Sequence, residues 1–365
     1  MKSTRTIKIL LPSEEHGRHS EGDFIRLKDN RILFAYSRYT TGGGKDHSPC
    51  AIAAMYSEDE GETWSEAVDI IRPEQYGSEN VMSVSLIRFQ NEDLGLTFSI
   101  RGNGWTIRRV ILRSADEGKT FYEENDIIAE DYNGRFGLNN SRVVRLESGR
   151  LMVPYSIHPG AEKEAREGYT RPRISKFTFG HVVYSDDDGR TWKASKDIIC
   201  PPFTDTTKGL QEGGIIEIAP GILRSYWRSD VGHQYMSMSF DNGEHWTAPQ
   251  RSRFTGPWSA MHMVKNPFNG KIYAIWNPIP LYNGRQYDNY NWGRSPYVMA
   301  AVTPDGNIPN EKLQVIEDDP SHGYCYPAVL FTRENEMLMA YCCGGELTNR
   351  NCLSALKIAK VTIEQ

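Results

Sequence analysis

Short apolar strands, each led in by a polar turn, recur along the whole chain. Asp29-Asn30-Arg31 leads into Ile32-Leu33-Phe34-Ala35-Tyr36, Asn91-Glu92-Asp93 into Leu94-Gly95-Leu96-Thr97-Phe98, and Ser148-Gly149-Arg150 into Leu151-Met152-Val153-Pro154. The pattern returns from Pro220 to Tyr226, from Asn269 to Trp276 and from Asn335 to Tyr341. Brief apolar runs bounded by Gly, Asn and Asp are strand signals, and no long segment with helical periodicity competes with them.

A second template, S-x-D-x-G-x-T-W, runs out of phase with the first. It reads Ser57 to Trp64, Ser114 to Phe121, Ser185 to Trp192 and Ser239 to Trp246, with a worn copy at Thr303-Pro304-Asp305-Gly306. Ser and Asp side chains bond nearby backbone N–H groups, Gly takes positive φ and the Trp turns back into an apolar layer, so each copy is a tight hairpin turn. The three acids Asp186 to Asp188 sit inside one such turn and lack calcium-loop spacing.

Hairpin-strand units at a period of about 60 residues imply four-stranded antiparallel sheets arranged radially, each buried on both faces by its neighbours. The expected fold is all-β, a six-bladed β-propeller forming a single domain over residues 1–365. Thr4 to Leu11 and Leu353 to Ile363 both read as strands, and pairing them would close the ring and remove two free edges.

Composition narrows the partners. With 32 Gly, 19 Pro and 11% aromatic residues the chain is folded and turn-rich. A net charge of −5, and no Lys/Arg run longer than two, leave no electrostatic footprint for nucleic acid or anionic lipid. No segment approaches the roughly 18 apolar residues of a membrane helix. Six cysteines show neither a CxxC pair nor His at ligand spacing, so neither metal nor cofactor is expected and the thiols are expected reduced. Met1 to Leu11 has no signal-peptide core, which predicts a cytoplasmic protein, or a secreted one if an export signal was removed.

The S-x-D-x-G-x-T-W turns resemble the Asp boxes of the sialidase (neuraminidase) superfamily, whose six-bladed propeller the repeat is similar to over essentially the full chain. The resemblance implies a glycoside hydrolase with an Arg triad for a substrate carboxylate, a Tyr nucleophile activated by a Glu, and an Asp acid/base. Glu212, in Gln211-Glu212-Gly213-Gly214-Ile215-Ile216-Glu217, matches the activating Glu, and a carboxylate entering an apolar strand is expected to have a raised pKa. Glu217 reads as an outer structural residue. Arg228 and Arg294 fall where the second and third triad arginines are found, and a guanidinium can hold a carboxylate through two parallel bonds. Tyr326, in Gly323-Tyr324-Cys325-Tyr326-Pro327, matches the nucleophile, with Tyr324 the other choice. Asp46, on the loop Gly42-Gly43-Gly44-Lys45-Asp46-His47, matches the general acid, and His47 could share its role.

One element departs from the family. Sialidases carry F/Y-R-I-P before the first strand, whereas Arg18 to Leu27 holds no R-I-P, and the aligned position falls on Ser20 or Glu21. Losing one charged donor there costs about 2–3 kcal/mol of carboxylate binding. Around these residues, Glu79 to Ser83, Asn140 and Arg142 in Asn139 to Arg142, and the Tyr/Asn-rich segment Tyr282 to Trp292 suit a carbohydrate partner, the last as a rim loop.

The mechanism implied is retaining, exo-acting hydrolysis of a terminal sugar, acidic or otherwise. Each residue also has a structural alternative: Glu212 as a strand-end cap, Arg228 in a salt bridge to Asp230 or Glu212, Tyr326 as packing, Asp46 as an exposed loop acid. The rival functions are a non-catalytic carbohydrate-binding propeller, a structural interaction propeller, and a hydrolase or lyase for uronic acids. Substrate, linkage and oligomeric state are open.

Overall fold

The computed structural model describes residues 3–40, 43–102, 107–128, 135–158, 177–281, 289–303 and 312–364. The segment 282–288 of the Tyr/Asn-rich stretch and residues 304–306 of the worn turn lie outside them.

An initial strand, β1 (Thr4–Leu10), is followed by a series of antiparallel meanders. The first is β2 (Arg18–Arg26), β3 (Ile32–Tyr39), β4 (Cys50–Ser57) and β5 (Val68–Ile71), and the second β6 (Asn80–Arg88), β7 (Leu94–Arg101), β8 (Ile107–Ser114) and β9 (Glu123–Asp126). In the third, β10 (Arg135–Gly137) and β11 (Val144–Arg145) both pair with β12 (Leu151–His158), followed by β13 (Phe179–Ser185) and β14 (Lys193–Ala194). The fourth is β15 (Gln211–Ala219), β16 (Ile222–Arg228), β17 (His233–Ser239) and β18 (Gln250–Thr255). The fifth is β19 (His262–Lys265), β20 (Ile272–Trp276), β21 (Tyr297–Val302) and β22 (Gln314–Glu317). The last is β23 (Cys325–Arg333), β24 (Glu336–Cys342) and β25 (Leu356–Thr362), with β1 on its outer edge from Thr4 opposite Val361 to Leu10 opposite Leu356. Every turn-led apolar run of the sequence is the second strand of a meander.

Four-stranded antiparallel sheets of this kind make a β-propeller. The sheet count differs from six separate ones: the described strands bond into three sheets of four strands, one of five and one of eight. The eight-stranded sheet arises because the first two meanders meet at a single parallel bridge, Cys50 with Asn80. Asn80 Nδ2 donates to the Ser48 carbonyl at 2.6 Å, drawing the start of β6 onto the start of β4. The five-stranded sheet arises because the inner strand of the third meander is broken between β10 and β11.

Packing explains the spacing of apolar positions. Because strand side chains alternate between faces, each central strand feeds two layers. Ile52 and Ala54 meet Leu96 and Phe98, Ile111 meets Val153 and Tyr155, and Met152 meets Leu223 and Trp246. Tyr226 meets Met263 and Trp276, Tyr297 meets Met339 and Tyr341, and Leu338 and Ile358 of the last meander meet Phe34 and Met55 of the first. Glu62 of the first meander adds bonds to Arg5 and Lys360, each at 2.7 Å.

The repeated turns are built as their chemistry predicts. Gly61 N–H donates to Ser57 Oγ at 2.8 Å, Thr63 N–H to Asp59 Oδ1 at 2.8 Å, and Trp64 Nε1–H to the Gly61 carbonyl at 3.1 Å. The Ser114, Ser185 and Ser239 turns repeat the Ser and Asp bonds. Each follows the third strand of its meander, and third strands run in the direction of first strands. The boxes therefore lie at the end of the sheets opposite to where β2, β6, β15 and β23 begin.

Candidate active site

The beginnings of the first strands share a backbone device. Register breaks between Ser20 and Gly22, Met82 and Ser85, Gln211 and Gly214, and Cys325 and Ala328. At each break one non-glycine residue is left-handed: Glu21 at φ 51°, Ser83 at 61°, Glu212 at 50° and Tyr326 at 54°, with Ser141 at 53° in the gap between β10 and β11. This conformation costs on the order of 1–2 kcal/mol per residue and re-aims the side chain out of the pleat. The glycine after Glu212 is required by packing, since a Cβ on Gly213 would lie 2.3 Å from the Trp227 ring.

Two of these residues meet. Tyr326 Oη–H donates to Glu212 Oε1 at 2.9 Å, Arg228 Nη1 bonds Glu212 Oε2, and the same nitrogen lies 3.3 Å from Tyr326 Oη. Glu212 N–H is anchored on Ser156 Oγ at 2.8 Å. Burial and then the Glu212 charge push the Tyr326 phenol well above its usual range, so it holds its proton. The Glu212 carboxyl departs from the sequence expectation: burial raises it, but the Arg228 charge and hydrogen bond, Arg294 and the Tyr326 hydroxyl together bring it below the ordinary glutamate value. The apolar strand supplied a desolvation argument, and Arg228 from the paired strand outweighs it only together with Arg294 and the Tyr326 hydroxyl. Of the two partners considered for Arg228, Glu212 holds it, while Asp230 bonds the Thr206 and Thr207 hydroxyls.

The second correction concerns the stretch that lacks R-I-P. Arg18, two residues before Ser20, is 2% exposed and enters the cluster from the start of β2. Its Nη1 donates to Asp46 Oδ1 at 2.6 Å, and its Nη2 donates to Glu21 Oε1 at 2.9 Å and Ser20 Oγ at 3.0 Å. Ser20 and Glu21, the aligned position, thus both accept from a buried guanidinium. Glu21 Oε2 also accepts from Ser83 Oγ at 2.8 Å, and burial raises its carboxyl. Asp46 is half-exposed, and although burial raises it, the Arg18 charge and bond lower it overall, so it is an anion at neutral pH.

These groups share one place through direct contacts. Asn140 Nδ2 donates to the Gly22 carbonyl at 2.7 Å and lies 3.5 Å from the Tyr326 carbonyl. Ser20 Oγ is 3.2 Å from Cys342 Sγ, Cys342 pairs across strands with Cys325, and Arg294 Nη1 donates to Cys325 Sγ at 3.0 Å. Arg294 meets no carboxylate among the described residues. Trp258 lies against Arg228 at 4.3 Å and accepts from Arg294 Nη2 on its carbonyl at 3.4 Å, and Trp292 lies 5.0 Å from the Arg294 guanidinium.

The remaining expectations divide. His47 is exposed beside Asp46, with Nδ1 3.5 Å from Arg101 Nη1. Arg142 is buried and spent on Tyr226 Oη, His262 Nδ1 and the Met261 carbonyl, at 3.1, 2.7 and 2.8 Å. Tyr324, just ahead of β23, belongs to an apolar layer with Tyr297 and Tyr341, and the left-handed backbone at Tyr326 turns that residue off the face the two would share by alternation. Glu217 accepts from Glu147 N–H and Gly221 N–H, a structural role. In the acidic turn, Asp186 bonds Arg150, Asp187 holds the turn and Asp188 receives Gln90 N–H. Among the described residues no group of three or more His, Cys, Asp or Glu could hold a metal ion. Reading by motif missed Arg18, Trp258 and the thiols at Arg294, while Ser83 falls in the Glu79 to Ser83 stretch. For Arg18 the signal was an Arg three residues before the Glu-Gly of the bulge.

Residues 35–339 match the family described as BNR repeat-like domain. A sialidase of Clostridium perfringens is 21% identical over 271 residues, which take in 68% of this chain and 61% of that protein. The chain thus spans less than two thirds of that relative's length. Among solved structures, a protein of unknown function from Dyadobacter fermentans superposes with a TM-score of 0.72 at 16% identity, covering 99% of this chain and 100% of that one. The NanB sialidase of Streptococcus pneumoniae superposes with a TM-score of 0.67 at 16% identity, covering 100% of this chain and 71% of that one.

Proposed function

The chain belongs to the BNR repeat-like domain family, and from that premise we propose that it is a sialidase-superfamily glycosidase that removes a terminal anionic sugar with retention. The observation that carries the reading is the Tyr326–Glu212 hydrogen bond at 2.9 Å, flanked by Arg228. Tyr326 attacks the anomeric carbon, Glu212 takes its proton, and Asp46 protonates the leaving oxygen. Arg18, Arg228 and Arg294 grip the substrate carboxylate, with Arg18 in the role for which R-I-P is missing. His47, on the loop with Asp46, faces the leaving group, and Glu21 holds Arg18 in place.

The ion pairs of the free protein fit this cycle. A substrate carboxylate that draws Arg228 off Glu212 and Arg18 off Asp46 raises both acids toward their working range. Glu212 then becomes a better base and Asp46 becomes able to carry a proton. An uncharged Tyr nucleophile also avoids repulsion with an anionic sugar.

The same reading takes the meanders as six blades of one ring over residues 1–365, the first two blades being the halves of the eight-stranded sheet and β1 on β25 the closure. The shared apolar layer between the last and first meanders supports it. Six free cysteines support a reducing, cytoplasmic setting.

The test is reporter release from aryl α-ketosides of sialic acids and from aryl acidic glycosides. Turnover is expected, with Tyr326→Phe and Glu212→Gln each slower by about 10²–10⁴-fold. Products that carry one added water identify a hydrolase, and products without it a lyase. No release from any substrate, or full activity in Tyr326→Phe, overturns the proposal. A second reading, a carbohydrate-binding propeller without turnover, is favoured by one observation: in the free protein the proton sits firmly on Tyr326 while Glu212 is a weak base. Glycan binding that survives both substitutions, with no product formed, selects it.

A further inference from the structure

Among the described residues the buried terminal nitrogens of Arg18, Arg228, Arg294 and Arg142 all find acceptors, whereas Arg109, on β8, leaves one without. It is 5% exposed, and among the described residues the only hydrogen bond of its side chain runs from Nη2 to the Leu138 carbonyl at 2.8 Å. Among the described residues its Nε and Nη1 have no acceptor and no carboxylate reaches it. Burial, and next to it the Arg101 charge, pull the guanidinium down to about 9 against the opposing effects of Tyr155 and Glu21.

Its neighbours are also unanswered donors. Ser99 stands directly opposite Arg109 in the β7–β8 ladder, and its buried Oγ has no partner. Asn139 follows the residue whose carbonyl Arg109 holds, and its buried Nδ2 has no partner. The surroundings are apolar, with Ile111, Leu138, Tyr155 and Ile157 in one layer. A buried cation without a counter-charge is strongly disfavoured, and a cluster of unsatisfied donors calls for an acceptor. Water would satisfy hydrogen bonds but leave the charge, whereas an oxyanion answers both.

We propose that Arg109, Ser99 and Asn139 form an oxyanion-binding site between the second and third meanders, built from residues other than those of the Tyr326–Glu212 site. It takes a carboxylate, sulfate or phosphate group, either as a free ion or as a substituent of a bound glycan. The site stands whether or not the chain hydrolyses glycosides.

Equilibrium dialysis of the purified chain against labelled sulfate tests it, with Arg109→Met, Ser99→Ala and Arg228→Met in parallel. Saturable binding is expected in wild type and in Arg228→Met. Binding should be at least about tenfold weaker in Arg109→Met, a charged hydrogen-bonded contact being lost, and several-fold weaker in Ser99→Ala, which keeps the charge and serves should Arg109→Met not fold. Arg109→Met should also melt no lower than wild type in sulfate-free buffer, because it removes an unpaired buried charge. Displacement of label by galactose 6-sulfate at lower concentration than by inorganic sulfate assigns the glycan source, and the reverse order the free ion. Absence of saturable binding, or binding lost in Arg228→Met and unchanged in Arg109→Met and Ser99→Ala, overturns the proposal.

Discussion

A guanidinium with two carboxylates, Arg18 between Asp46 and Glu21, does more than balance charge. Its planar fork is fixed by acceptors at both terminal nitrogens, so a substrate carboxylate meets a group that is already oriented. Lysine has the charge without the fork. Arg18→Lys is therefore expected to raise KM by about 10- to 100-fold, the cost of one charged hydrogen bond, with a smaller change in kcat. Steady-state kinetics on the most active aryl substrate checks it, and an unchanged KM would show that Arg18 is only structural. Side-chain chemistry at this scale was partly legible in the sequence. Tyr326, Glu212 and Arg228, singled out from the sequence, are in direct contact, and Asp46 bonds Arg18. Arg18 was hidden because the register break at Glu21 shifts the spacing that a linear comparison relies on, and the lowered Glu212 was hidden because Arg228 acts on it from the next strand.

The recurrent hairpin turns are the element most visible in the sequence, since every bond that builds them is local. Their acids carry a pH signature. Bonds from the Thr63 hydroxyl and N–H hold Asp59 at about 2, and Asp241 is likewise near 2 through burial offset by its bonds to His245. A folded value below the unfolded one of about 3.9 means that the turn stabilises fully above pH 4 and loses that contribution as pH falls through about 2. Asp59→Asn keeps an acceptor oxygen but removes the titration. Its urea midpoint should fall less steeply than that of wild type between about pH 4 and pH 2. Parallel curves would mean that the turn acid is not coupled to folding. What the turns could not reveal is where the sheets join, because the Cys50–Asn80 bridge and the break between β10 and β11 depend on side chains from distant segments.

At the level of the whole molecule, stability rests on layers shared by successive meanders, and the last of these includes the first. β1 covers the edge of β25, and its Ile7 and Leu10 pack on the layer containing Phe34 and Ile358. Removing residues 1–11 uncovers that edge and that apolar surface together. A fall of several degrees in Tm and concentration-dependent aggregation are expected by thermal unfolding and light scattering. An unchanged Tm would make β1 an ornament of the edge. The terminal strands were readable from alternation alone, whereas the pairing partner had to be inferred from the need to remove free edges.

The left-handed perch at the start of β2, β6, β15 and β23, and its counterpart at Ser141, presents a Glu, a Ser, a Glu, a Tyr and a Ser on nearly the same backbone. Because the strain is carried by the bulge and the sheets behind it are indifferent to the residue displayed, chemistry can be exchanged here one position at a time without rewriting the core. Ser83 is already engaged with Glu21 and Ser141 with Asp23, so a new residue at either position also releases a buried carboxylate. New reactivity installed there would be displayed by the same left-handed backbone that presents Tyr326, which makes this scaffold a natural starting point for altered chemistry.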